Sequence, residues 1–93
     1  MDLTDASAIN NCFYAASDVE SITFTGLLKI NGLSLNYCTN ISKESLLSLI
    51  EVLEDKTGDT SGTEWVVTIG STNKAKLTDD ELLVARNKGW TVN

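Results

Sequence analysis

The feature that most constrains this 93-residue chain is the way its apolar residues come in short alternating sets. Ile22 and Phe24, then Leu33, Leu35 and Tyr37, then Trp65, Val67 and Ile69, and last Trp90 and Val92 recur at every second position. That period matches the pleat of a short strand with one buried face. The sets are too short to make a wide sheet without long connections between them, and the connections carry a different period.

From Lys43 to Asp55, Leu46, Leu49, Ile50 and Leu53 fall at the i, i+3, i+4, i+7 spacing of one helical face. Ser42 is the expected N-cap, Glu44 and Lys56 suit the macrodipole, and Gly58 is the expected residue for a left-handed C-terminal turn. A polar loop, Asp59 to Glu64, follows. A second helix is predicted over Asp79 to Lys88. Thr78 and Glu81 spell a capping box, Leu77 and Leu82 a hydrophobic staple, and Gly89 the C′ residue, with Trp90 packing back on Ala85. Ala6 to Ala16 has helical spacing in Ile9, Cys12, Phe13 and Ala16, with Thr4 as its cap. Asn31-Gly32, flanked by Leu28, Ile30, Leu33 and Leu35, is a hairpin signal, so one antiparallel pair is possible at that point. The order of helices and strands is that of an α/β fold with a largely parallel sheet.

Length confines the chain to a single domain, residues 1–93. Apolar runs of only a few residues fall short of the roughly 20 that span a bilayer, so no membrane insertion is expected. The start, Met1-Asp2-Leu3-Thr4-Asp5, is acidic and does not read as a signal peptide. A net charge of −6 would repel a phosphate backbone, which argues against nucleic acid as a partner. With no histidine, the commonest general base and metal ligand is missing, so no enzyme, metal or cofactor is expected. Cys12 and Cys38 lack zinc-site spacing and are expected to be two thiols rather than a bridge.

Other motifs in the chain have plainer explanations. Gly70-Ser71-Thr72-Asn73-Lys74 follows a strand but lacks the second glycine and the Ser or Thr after the lysine of a phosphate loop. Asp79, Asp80 and Glu81 could suit an external metal in an enzyme fragment, yet carboxylates in a first helical turn are what the dipole favours. Cys38 has no His to activate it, and Trp65 and Trp90 are in phase with inward positions rather than with a sugar-stacking face. Asn40-Ile41-Ser42 matches a glycosylation acceptor that nothing else in the sequence supports.

The chain also repeats itself. Leu33 to Leu46, LSLNYCTNISKESL, and Val67 to Leu82, VTIGSTNKAKLTDDEL, share a strand, a polar turn with Asn40 or Asn73, an apolar anchor at Ile41 or Leu77, a hydroxyl cap and a helix. Leu33-x-Leu35-x-x-Cys38 fits the core of a leucine-rich repeat, and Ile22-x-Phe24 is a degenerate third copy. Cys38-Thr39-Asn40, Ser42, Glu44-Ser45-Leu46, Gly70-Ser71-Thr72-Asn73, Lys76-Leu77-Thr78 and Asn87-Lys88-Gly89-Trp90 carry a further likeness. Over roughly residues 33 to 93, the chain resembles the C-terminal region of bacterial leucine-rich-repeat proteins of the surface-antigen, BspA-like type, including prophage-encoded versions.

The resemblance implies a short leucine-rich-repeat-like solenoid with helices on one side: a degenerate N-terminal repeat over 1–32, then two C-terminal repeats with a terminal cap over 33–93. It implies a non-catalytic protein-interaction or adhesion role on a bacterial cell surface, in secreted form or on a virion. The alternative is a purely structural cap of a repeat array with no ligand. Strand alternation places Thr23, Ser34 and Thr68 outward in one row, the candidate contact residues, for a protein or surface glycan. The isolated domain is expected to be a monomer.

Overall fold

The computed structural model describes residues 20–35 and 38–93, and the predicted helix over Ala6 to Ala16, Cys12 and Tyr37 lie outside them. Three helices and two strands follow in the order α1 (Lys43–Glu51), β1 (Trp65–Val67), α2 (Gly70–Lys74), α3 (Asp79–Asn87) and β2 (Trp90–Val92). The class is α/β, with a two-stranded parallel sheet.

β1 and β2 pair in parallel with Trp65 opposite Trp90, Val66 opposite Thr91 and Val67 opposite Val92. The ladder runs past the strands. The Asn93 amide donates to the Val67 carbonyl, and the Ile69 amide donates to the Asn93 carbonyl. On the other edge of β1, Thr68 N–H donates to Leu33 O at 3.0 Å and Leu35 N–H to Thr68 O at 2.7 Å, which makes a parallel Ser34–Thr68 bridge. Parallel neighbours need a crossover, so α1 returns the chain between residues 33–35 and β1, and α2 with α3 return it between β1 and β2. Leu33, Leu35, Val67, Ile69, Trp90 and Val92 are all buried in one core with Leu46, Leu49 and Ile50 of α1. The alternation read over Leu33 and Leu35, Val67 and Ile69, and Trp90 and Val92 is the alternation of this ladder.

α1 starts where expected, with Ser42 Oγ accepting from Ser45 N–H. It stops at Glu51, earlier than the predicted Asp55, because the next residues join another parallel contact. Leu28 N–H donates to Val52 O at 2.7 Å and Glu54 N–H to Leu28 O at 3.0 Å, bridging Leu28 to Leu53. Leu53 is buried as predicted, but from an extended segment. Gly58 therefore plays no part in ending α1, whose last carbonyls, Ile50 O and Glu51 O, accept instead from Lys88 Nζ at 3.0 and 2.8 Å.

α3 matches its sequence signature. Both halves of the capping box form: Glu81 N–H donates to Thr78 Oγ1 at 3.2 Å and Thr78 N–H to Glu81 Oε1 at 2.7 Å. Gly89 leaves the helix at φ +86°, where a Cβ would also lie 3.1 Å from the Lys56 carbonyl carbon. Lys56 N–H donates to Lys88 O at this same crossing.

Two expectations change. Asn31-Gly32 makes a corner and not a hairpin, since Leu28 and Ser34 on its two sides bridge in parallel to different segments, Leu53 and Thr68. Asn31 serves the ladder with its side chain: Nδ2 donates to Glu64 O and Oδ1 accepts from Val66 N–H, with Gly32 at φ +93° to make the bend. Ile22 to Phe24 does not form a strand. Its amides are drawn to α1, where Ser45 Oγ accepts from Ile22 N–H and Ser48 Oγ from Phe24 N–H.

Candidate binding surface

Because successive residues of a strand point to opposite faces, the buried Leu33, Leu35, Val67, Ile69, Trp90 and Val92 force Ser34, Val66, Thr68 and Thr91 to the other side. The bridge sets Ser34 beside Thr68, and the bonds from Asn93 N–H to Val67 O and from Ile69 N–H to Asn93 O set Asn93 beside Thr68 on its other edge. Ser34, Thr68 and Asn93 thus lie across the ladder at the strand spacing of about 4.8 Å. Ser34 and Thr68 are half-buried by their neighbours, while Thr91 and Asn93 are exposed. Thr23, the third residue expected in the row, is exposed, and its neighbours Ile22 and Phe24 donate their amides to Ser45 and Ser48 of α1.

The row is held from behind by one polar residue. Asn73 is fully buried, and its Nδ2 faces Ile69 O at 2.9 Å, Cys38 O at 3.1 Å and Leu35 O at 3.4 Å. The carbonyls following β1 and following the bridged segment 33–35 converge on one amide, which ties the two turns together. Lys76 adds to this, with Nζ donating to Thr39 O, Ile41 O and Asn73 Oδ1. Asn40, equated with Asn73 by the sequence pattern, is exposed, and the buried residue of that turn is Cys38. The phosphate-loop reading of Gly70 to Lys74 fails in the same place, because the segment is a five-residue helix whose Asn73 points into the core.

At the opposite end of β1, Trp90 is buried with its indole N–H on Glu54 O at 2.7 Å. Trp65 is half-buried, 5.5 Å from the Trp90 ring, with Lys56 Nζ 4.0 Å from its ring centroid. A lysine over that face leaves it badly placed to stack on a sugar. Trp65 Nε1 donates to Asp59 Oδ2 at 2.7 Å, and this bond, followed by those from Ser61, holds the Asp59 carboxyl below its ordinary pKa.

The carboxylates at the start of α3 do not converge. Glu81 is engaged by Thr78 N–H and by Lys43 at 3.0 Å, which in that order lower its pKa, while Asp79 and Asp80 are exposed on the helix. Among the described residues no group of three or more acidic, His or Cys side chains could hold a metal ion. Cys38 is a fully buried thiol. Among the same residues, no helix is long and apolar enough to cross a membrane.

No protein-family model, curated protein or solved structure matches the chain. The surface therefore has to be read from its own geometry. Asn93, Thr91 and the bracing role of Asn73 were missed in the sequence, because register across a parallel ladder is set by contacts distant in the chain. The Asn-Gly pair does mark a special backbone position, and of the turns open to it the parallel bridges on its two sides select a corner.

Proposed function

We propose that the chain is a non-catalytic interaction module of leucine-rich-repeat type, from a bacterial cell-surface or phage structural protein, and that the row centred on Thr68 is its contact surface. One observation carries the reading: Ser34, Thr68 and Asn93 sit on adjacent parallel segments, all with short polar side chains, over a fully apolar layer. Short side chains on a paired backbone lose little freedom on contact, so a partner binds without a large ordering cost. The repeat reading is supported by Asn73, which bonds the turn carbonyls after β1 and after the neighbouring parallel segment 33–35 as a repeat asparagine would. Hydroxyl and amide groups at this spacing suit a protein or glycan surface.

The test is binding of the purified chain to a panel of bacterial envelope glycans and to envelope and virion proteins. Ser34→Arg and Thr68→Arg are expected to abolish any saturable binding with the circular dichroism spectrum unchanged. Binding that survives both row variants would place the contact elsewhere. Absence of saturable binding across the panel would favour a purely structural cap.

A further inference from the structure

The outer side of α3 presents a second surface, independent of the row. Residues three and four apart share a helical face, so Asp79, Leu82, Leu83 and Arg86 make one stripe. Leu83 is 46% exposed, Asp79 and Arg86 are exposed, and Leu82 is half-buried beside them. With Asp80 these residues line a shallow cleft. A lone exposed leucine is ordinary. The arrangement of charge around this one is less so: acid at the N-terminal end of the stripe, two leucines in the middle, base at the C-terminal end.

Such a stripe is complementary to itself when reversed. Asp79 and Arg86 are separated by roughly 10 Å along the axis at 1.5 Å per residue, and the midpoint between them falls at Leu82 and Leu83. A second α3 laid antiparallel across that midpoint brings each Arg86 to the other copy's Asp79 and Asp80, and each leucine pair to the other. Two ion-pair clusters then flank one apolar contact, the pattern of an isologous two-fold interface. Within one chain these charges are unused: among the described residues the ion pairs are Lys43 with Glu81 and Lys56 with Glu54. An overall charge of −6 opposes association of two copies, so pairing has to be local, and this is a place where Arg86 and nearby Lys74 offset the acids.

We propose that this face takes a second copy of the chain, with the two α3 helices antiparallel about Leu82 and Leu83, in place of the monomer expected from the sequence. The proposal does not depend on what the polar row binds. Sedimentation equilibrium over a concentration series tests it. The wild-type mass is expected to rise towards that of two chains, and Leu83→Glu and the uncharged Leu83→Gln, both at an exposed position, are each expected to weaken association at least tenfold. Arg86→Asp alone and the double variant Asp79→Lys, Asp80→Lys alone are expected to stay monomeric, whereas an equimolar mixture of the two pairs, because each restores both charge clusters of the other. The idea is overturned if the wild type stays monomeric at millimolar concentration, if association survives both Leu83 variants, or if the mixture fails to pair while circular dichroism shows both components folded.

Discussion

Replacing Asn73 by alanine removes the amide to which two turns of the chain are tied. Two of its contacts are well-formed bonds, to Ile69 O at 2.9 Å and Cys38 O at 3.1 Å, while Leu35 O at 3.4 Å is at the margin. Two such bonds contribute about 1 kcal/mol each, and although Cys38 O keeps the Ile41 N–H, truncating a fully buried side chain leaves a gap that adds about 1 kcal/mol more, giving about 3 kcal/mol. Lys76 adds little to the loss, since Nζ keeps Thr39 O and Ile41 O. For a domain of this size each kcal/mol moves the midpoint by roughly 4 to 8 °C, so the melt should fall by roughly 12 to 24 °C. Urea unfolding followed by circular dichroism measures the same loss as a lower midpoint at unchanged slope. Thr72→Ala, one residue away but exposed, should change stability by less than about 0.5 kcal/mol. Asn73→Asp is a sharper variant: it keeps the shape and the Lys76 contact but points oxygen at carbonyl oxygens, so part of its loss should return in mild acid, where a protonated carboxyl can donate. A loss under about 1 kcal/mol for Asn73→Ala would refute the view that this amide sets the turns.

Thr78→Ala should cost about 1 kcal/mol by removing the α3 cap, seen as a lower thermal midpoint. Gly89→Ala should cost about 1 to 2 kcal/mol, from the positive φ and the close Lys56 backbone together, by chemical denaturation. Asp55, Asp59 and Glu81 have folded pKa values below their ordinary ones, so they hold fewer protons folded than unfolded. Their contribution is complete above the ordinary carboxylate values and fades as pH falls below about 4, and Trp65→Phe should flatten the Asp59 part of that acid-side slope. Cys38 should resist alkylation in the native chain and react once denatured, as intact mass will show; rapid native labelling would mean that its turn opens.

The sequence by itself determined the parts whose causes are local. The Thr78 box and Gly89 define α3 because the groups that satisfy the helix ends lie within a few residues of them, and Ser42 starts α1 for the same reason. Strand phase was equally legible, since alternation alone decides that Leu33, Val67, Ile69 and Val92 go inward. Tertiary structure decided what depends on distant partners. α1 stops at Glu51 because Leu28 claims the backbone around Leu53, and Ile22 to Phe24 leave the strand pattern because Ser45 and Ser48 offer their amides an alternative. Asn31 turns a corner because Glu64 O and Val66 N–H are within reach of its side chain. In each case a backbone group had to be satisfied by something far away in the chain, and no local pattern says which partner will be there.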